Sequence, residues 1–161
     1  MKKLAVFVLV ISVFSGAVFG QGQEFTFRGL PWGSSREQVI EKLGVPDQIM
    51  FFTNFGYNVK VSGYNASLIL LVLFTEGLTS ARYQFEELAG YNNIRRQLIT
   101  RYGEPSRARI PNFGFFEYWS KNNFHVSLMV SDREMEIAYY PDSGWEAFIT
   151  EYNIDLANFE L

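Results

Sequence analysis

The chain ends two helix-like segments in the same way. The stretch EKLGVPDQ at residues 41–48 and the stretch TRYGEPSR at residues 100–107 each place an apolar or aromatic residue before Gly-x-Pro. A glycine just after a helix adopts a backbone conformation that ends it, and a proline two residues later prevents the helix from continuing. The sequence therefore predicts two helices that stop abruptly, each followed by a different kind of structure.

The first helix is predicted over residues 35–43. Its apolar side chains fall on one helical face: Val39, Ile40 and Leu43. Two overlapping capping boxes fit its start. One joins Ser34 to Glu37, and the other joins Ser35 to Gln38. Either serine can accept hydrogen bonds from the open N–H groups of the first turn, so both alternatives stand.

Two further helices are predicted from spacing. The helix before the second stop places its apolar and aromatic side chains one turn apart: Tyr91, Ile94, Leu98 and Tyr102. A C-terminal helix is predicted over residues 143–153, with a capping box that joins Ser143 to Glu146. Its apolar residues also follow the helical period: Trp145, Phe148, Ile149 and Tyr152.

Strand-like stretches follow each stop. After the first come QIMFFTNF, YNVKVSGY, ASLILLVLF and LTSARYQFE, with turns near Gly56 and at Glu76–Gly77. After the second come FFEYWSK, FHVSLMVS and EMEIAYY, joined at Asn122–Asn123 and Asp132–Arg133. Both of these joints are short enough for hairpins. Each stop is therefore followed by an antiparallel meander.

The order of elements predicts an α+β fold of two helix-plus-antiparallel-meander repeats that share a core, plus a C-terminal helix. The first repeat covers residues 25–86 and the second covers residues 88–140, within a single domain at 21–161. A single unit could hardly bury its sheet face alone, so the two are expected to pack together. The alternative is that two Gly-x-Pro stops occur by coincidence.

Residues 1–20 are predicted to be a signal peptide. Lys2 and Lys3 precede an apolar run over Leu4–Phe14, and small residues follow. We therefore expect an exported protein, periplasmic or secreted, with cleavage after Gly20. The alternative is an uncleaved leader, through which alone the protein would be attached to a membrane. The chain has no cysteine, which excludes a lipid anchor and disulfides.

Charge and motifs argue against several other functions. Without Lys2 and Lys3 the chain has 12 basic and 17 acidic side chains, a net charge of −5 that disfavours nucleic acid. One basic group, interpreted as a solvated helix face, comprises Arg95, Arg96, Arg101, Arg107 and Arg109. A phosphate loop and a dinucleotide fingerprint are absent. His125 is the only histidine and cannot form a multi-histidine zinc site, so neither a cofactor nor a metal is predicted.

Short motifs in both halves resemble a known repeat. They are Gly33-Ser34-Ser35, Val39 and Leu43-Gly44-Val45-Pro46, then Leu98, Tyr102-Gly103-Glu104-Pro105 and Trp119. This pattern resembles the α-β repeat of the SmpA/OmlA-type outer-membrane assembly lipoproteins and of the β-lactamase inhibitor proteins. The resemblance implies helices packed on an antiparallel sheet and a function in protein–protein contact. This chain lacks the lipidated cysteine of the first group and the disulfides of the second, and no functional residue carries over.

Counting residue pairs outward from each predicted turn assigns the two faces of the predicted sheet, because directly opposed residues point to the same side. Turns at Asp132–Arg133 and Asn122–Asn123 oppose Val130 with Met135, Leu128 with Ile137, Val126 with Tyr139, and Trp119 with Val126. A turn at Glu76–Gly77 opposes Val72 with Ala81, Leu70 with Tyr83, and Leu68 with Phe85. These pairs are assigned to the core, and a one-residue error in a turn would exchange the faces.

The opposite face supplies the candidate partner-binding residues. They are Ile69, Leu71, Leu73, Arg82, Tyr118, His125, Met129 and Tyr140. Three aliphatic side chains on an outward face need an explanation. Either the C-terminal helix covers them, or they form an exposed patch that binds another protein. Aromatic residues and methionine are enriched at such interfaces.

Three functions fit these observations. The first is an exported, non-enzymatic protein-binding or envelope-scaffold protein, whose partner is an unknown envelope or secreted protein. The second is an inhibitor of a secreted or periplasmic hydrolase. The third is a small carbohydrate-active enzyme using Glu134 and Glu136, about 7 Å apart on one strand face. A site built on His125, Ser127 and Asp132 lacks a nucleophile elbow, so no catalytic residue is assigned.

Overall fold

The computed structural model describes residues 25–110, 114–131, 134–154 and 156. The predicted signal peptide and the turn at Asp132–Arg133 lie outside these residues. The described part contains three α-helices, a two-stranded sheet and a large antiparallel sheet of eight strands, so the predicted α+β class is confirmed. Among the described residues, no helix is long and apolar enough to cross a membrane.

The strands form a small hairpin and one continuous sheet. The hairpin comprises β1 (Thr26–Phe27) and β2 (Leu30–Pro31). The sheet comprises β3 (Gln48–Met50), β4 (Asn54–Val61), β5 (Tyr64–Leu73), β6 (Gly77–Phe85), β7 (Ser106–Ile110), β8 (Gly114–Lys121), β9 (Phe124–Val130) and β10 (Met135–Tyr140). Side by side, their order is β3-β4-β5-β6-β10-β9-β8-β7. Two four-stranded meanders thus meet through their last strands, with Tyr83 opposite Ile137.

The helices divide the sheet into an inner and an outer face. They are α1 (Arg36–Leu43), α2 (Tyr91–Tyr102) and α3 (Asp142–Glu151), and a short 3-10 turn at Leu88–Gly90 leads into α2. The buried residues of α1 and α2 pack on the inner face, whereas those of α3 pack on the outer face. We call α1 with β3–β6 the first half, and α2 with β7–β10 the second half.

The helix ends follow the sequence signals in all but one case. Ser35 caps α1, because its hydroxyl accepts from the Gln38 N–H while the Gln38 side chain accepts from the Ser35 N–H. Gly44 and Gly103 have φ of +87° and +85°, as the predicted stops require. The capping box predicted at Ser143 is wrong, because α3 starts earlier, directly after Pro141, and Ser143 already lies in its first turn.

Each stop is held by the same kind of hydrogen bond. The Tyr57 hydroxyl on β4 donates to the Gly44 carbonyl over 3.2 Å. In the second half, Trp119 Nε1 on β8 donates to the Gly103 carbonyl over 2.7 Å. Both aromatic side chains come from the second strand after their helix and point to the inner face. A carbonyl left open by the helix end is therefore satisfied in the same way in both halves.

A single core on the inner face includes residues of both halves. The β1–β2 hairpin, which was not predicted, completes this core. Phe25 stacks on Phe124 with ring centroids 3.9 Å apart, and Phe27 contacts the rings of Tyr83 and Tyr139. Strands of two residues are too short to show an alternating pattern, so this hairpin could not be predicted from periodicity.

A second, smaller core lies beneath α3 on the outer face. Its buried residues are Ala108, Ile110, Phe116, Ala138, Tyr140, Trp145, Phe148 and Ile154. Gly144 of α3 lies against β6, where a Cβ would come within 2.8 Å of the Thr79 carbonyl oxygen. A small residue therefore lets the start of α3 approach the sheet closely.

One turn and one strand differ from the predictions. The turn between β3 and β4 spans residues 51–53, whereas Gly56, where a turn was predicted, lies within β4 opposite Gln48. Phe51 and Phe52 take positive φ there, which bulky residues rarely do, so the usual glycine signal is missing. Strand β7 was also missed, because arginines alternate with Ala108 and Ile110, the two residues that pack beneath α3 on the outer face, and so mask its apolar side.

The predicted registers are partly confirmed. Val130 faces Met135, and Trp119 faces Val126 as predicted. The β5–β6 register is wrong by two residues: Leu70 faces Ala81 instead of Tyr83. A bulge after Leu71 and a longer turn account for the difference. Because the shift is even, the assignment of side chains to faces survives.

Candidate functional site

Among the described residues, no helix packs over the outer side of β5, although the start of α3 approaches β6 through Gly144. The buried residues of α3 pack with the second half, and Ile69, Leu71 and Leu73 belong to neither core. These three side chains alternate with buried residues along β5 and are partly buried. Arg82 lies beside them on β6, opposite Ile69. We call these four residues the open strip.

The other four candidate residues share the outer face but lie under α3. Tyr140 is buried, and its pKa is raised by burial. The Trp145 ring stacks on His125 with centroids 4.8 Å apart, and it contacts the tilted ring of Tyr118 at 5.6 Å. Met129 packs against the same cluster. The structure thus divides the candidate surface into an open strip and a covered group.

A hydrogen-bonded chain of three residues ties α3 to the sheet. Ser120 Oγ lies 3.0 Å from His125 Nδ1, and His125 Nε2 lies 3.1 Å from Asp142 Oδ1. The sequence had paired His125 with Ser127 and Asp132 instead. Ser127 is fully buried beneath α3, and Asp132 lies outside the described residues. Sequence reasoning could identify Ser120 only from the β8–β9 register, in which Ser120 lies opposite His125.

The burial of His125 beneath α3 predicts that the docking of α3 weakens in acid. Burial lowers the pKa of His125 below its usual 6.5, although Asp142 and Glu146 on α3 partly oppose that shift. A lowered folded-state pKa stabilises the fold fully above the usual value, and that stability is lost as the pH falls toward the folded-state pKa. We expect the wild-type unfolding free energy to fall more between pH 7.5 and pH 5.0 than that of His125→Phe, measured by urea titration. An equal fall in both proteins would contradict this.

A charged cluster lies on the inner face, near the edge of the sheet that β7 forms. Arg95 of α2 binds the Glu117 carboxylate through two hydrogen bonds of 2.7 and 2.8 Å, and Arg107 of β7 binds it over 3.1 Å. Burial raises the pKa of Glu117, but the two guanidinium groups outweigh it and hold that pKa below its usual value. The predicted solvated arginine face thus includes two residues that pair with a buried carboxylate.

Three phenylalanine rings project from one end of the sheet. Phe51 is 86% exposed, Phe52 is 78% exposed and Phe74 is 74% exposed. The turns that carry them are adjacent, because the Val72 N–H beside one turn donates to the Thr53 carbonyl of the other over 2.8 Å. Arg36 lies below, with its guanidinium 4.6 Å from the Phe74 ring and donating to the Phe52 carbonyl. We call Phe51, Phe52 and Phe74 the aromatic tip.

The carboxylates proposed for glycoside chemistry are placed differently from the prediction. Glu134 precedes β10, and its N–H donates to the Ser131 hydroxyl over 3.2 Å. Glu136 lies on the outer face of β10, where it accepts a hydrogen bond from Gln84 over 3.1 Å. Strand β10 therefore includes Glu136 but not Glu134. Among the described residues, no group of three or more potential metal ligands comes together.

Comparison with known proteins finds no similar one. No protein-family model matches this chain, and neither a curated protein nor a solved structure is similar to it.

Proposed function

We propose that this chain is an exported, non-enzymatic protein that binds an envelope or secreted protein through the open strip. One observation carries the proposal: α3 covers the apolar outer face of the second half, while Ile69, Leu71 and Leu73 of the first half are partly exposed and belong to neither core. Apolar side chains in a row on an open sheet are typical of a protein-interaction surface. Arg82 at its border adds a charge that an acidic group of the partner can meet.

We also propose that the two halves are copies of one repeat. Each half has a helix, a Gly-x-Pro stop and a four-stranded meander in the same order. The hydrogen bonds from Tyr57 to Gly44 and from Trp119 to Gly103 support this proposal independently of the element order. On this view, the first half lacks the outer cover that α3 provides in the second half. A partner would occupy the corresponding position on the first half.

The experiment is a crosslinking pull-down of the tagged protein from its native envelope, followed by mass spectrometry. We expect a reproducible partner that Leu71→Asp loses by at least about tenfold, because a charge in an apolar contact must be desolvated. Asn92→Asp is the matched control, since Asn92 is exposed on α2 and the change adds the same charge on the other side of the sheet. Unchanged capture by Leu71→Asp, with unchanged circular dichroism, would contradict the proposal.

A hydrolase inhibitor is the variant of this function that the family resemblance favours. It would use the same open strip, with a secreted or periplasmic hydrolase as the partner. A panel of lysozymes, proteases and β-lactamases separates the two possibilities. Inhibition of one enzyme that Leu71→Asp abolishes would identify an inhibitor, whereas a captured partner without inhibition would indicate a scaffold.

A further inference from the structure

The aromatic tip begins where the open strip ends, because Phe74 directly follows Leu73, but the partner binding proposed above does not use the tip. We propose that the tip inserts into the surface of a lipid bilayer, with Arg36 at the level of the lipid phosphates. Three features of the tip favour a bilayer over a protein groove: its shape, its backbone and its distribution of charge.

The shape is a protrusion made of two adjacent turns. Phe51 and Phe52 come from the β3–β4 turn, and Phe74 comes from the β5–β6 turn at the same end of the sheet. All three rings are mostly exposed. A bilayer presents no pocket that must be matched, so a protruding apolar tip can enter it without a complementary shape.

The backbone holds the rings outward at a cost. Phe51 has φ of +51° and Phe52 has φ of +61°, a left-handed conformation that glycine or asparagine adopts more easily. The Arg36 guanidinium fixes this turn, because it donates a hydrogen bond of 2.6 Å to the Phe52 carbonyl. Large apolar residues therefore occupy positions where small ones would be more stable, as strained functional segments do.

The charge distribution matches the layers of a membrane. No charged residue occurs from Gln48 to Val59, so nothing in the β3–β4 turn opposes entry into the apolar layer. Arg36 at the base of the tip has further N–H groups that can bind a phosphate. Glu37 and Glu76 lie nearby and offset its charge, so we expect insertion to need no anionic lipid.

The chain also enters the described fold at this end. Phe25 stacks on Phe124, the first residue of β9. The registers of β9 with β10 and of β10 with β6 place that residue level with the β5–β6 turn. The predicted export leader therefore joins the fold at the end that carries the aromatic tip.

The test is flotation of the full chain, as exported by its cell, with phosphatidylcholine vesicles. We expect the wild type to float and Phe51→Asn/Phe52→Asn to bind at least about tenfold less, since two apolar side chains are lost from the bilayer. Asparagine tolerates the left-handed turn, so the double variant should unfold at the same urea concentration as the wild type or a higher one. Both proteins are exported and processed by the same cell, so the difference between them reports on the tip alone.

Further flotation experiments distinguish insertion of the tip from other causes of vesicle binding. Leu71→Asp should float like the wild type, because the open strip does not enter the bilayer. Replacing part of the lipid with phosphatidylglycerol should not increase binding. Equal flotation of the double variant and the wild type, no flotation of the wild type, or binding only to the anionic vesicles would overturn the proposal. Partner capture in the pull-down should be unchanged in the double variant, and its loss without an effect on flotation would assign the tip to a protein instead.

Discussion

Gly77→Ala is expected to lower the free energy of unfolding by about 2–5 kcal/mol, the largest effect of any conservative change considered. Gly77 begins β6 with φ of +69°, so any side chain strains the backbone. A Cβ there would overlap the Gly33 carbonyl and come within 2.7 Å of the Ser34 carbonyl oxygen. Backbone atoms cannot move aside as a side chain can, because Leu78 exchanges hydrogen bonds of 2.9 Å with both residues.

Gly63→Ala is the matched control for this prediction. Gly63 also has positive φ, at +88°, but a Cβ there meets nothing within 4 Å. We therefore expect only the conformational cost, about 1–2 kcal/mol. Urea titration of both variants measures the difference. If the two alanines cost the same, the close approach between the segment before α1 and β6 contributes nothing to stability.

Glu117→Ala is expected to destabilise the protein by about 2–3 kcal/mol at pH 7. Its carboxylate is 9% exposed and joins α2, β7 and β8 through Arg95 and Arg107. The full cost of breaking a buried ion pair does not apply, because the two arginine side chains are 28% and 56% exposed and regain water. Glu136→Ala is the control, since Glu136 has one hydrogen bond at the surface and should cost less than about 1 kcal/mol.

The pH profile distinguishes the charge of Glu117 from its packing. The folded-state pKa of Glu117 is lowered, so its contribution is present above the usual value of 4.5 and is lost as the pH falls through the folded-state pKa. Glu117→Gln keeps the size of the side chain but cannot ionise. We expect the stability difference between wild type and Glu117→Gln to shrink as urea titrations move from pH 7 toward pH 3. A difference that stays constant would assign the effect to packing.

Local signals predicted the helices and most strands. Gly44 and Gly103 act at the ends of single helices, and the Val130–Met135 register depends on a single turn, so each could be inferred from a few neighbouring residues. The β5–β6 register failed because a bulge after Leu71 changes the count without leaving a sequence signal. The β3–β4 turn failed because Phe51 and Phe52 take a conformation that propensity assigns to other residues.

The candidate site was predictable only in part. Alternation along β5 places Ile69, Leu71 and Leu73 on one side, and the structure keeps them there. Sequence alone could not say which half α3 would cover, because that depends on how the chain turns after Pro141. The partners of Glu117 could not be predicted either. Arg95 and Arg107 are 22 and 10 residues away in sequence, and they meet Glu117 only because α2 packs on the sheet and the missed strand β7 lies beside β8.

The central pairing of β6 with β10 has a consequence for how the chain folds. Each meander is built from hairpins between neighbouring strands, which close quickly. The joint between the meanders is a distant contact: Gln84 and Glu136, which meet across it, are 52 residues apart. If the N-terminal part of the chain becomes available first, the first meander can therefore form while the edge of β6 is still unpaired. Unpaired strand edges of this kind favour aggregation. The sheet becomes protected only when its last strand arrives, so folding is complete only after almost the whole chain has emerged.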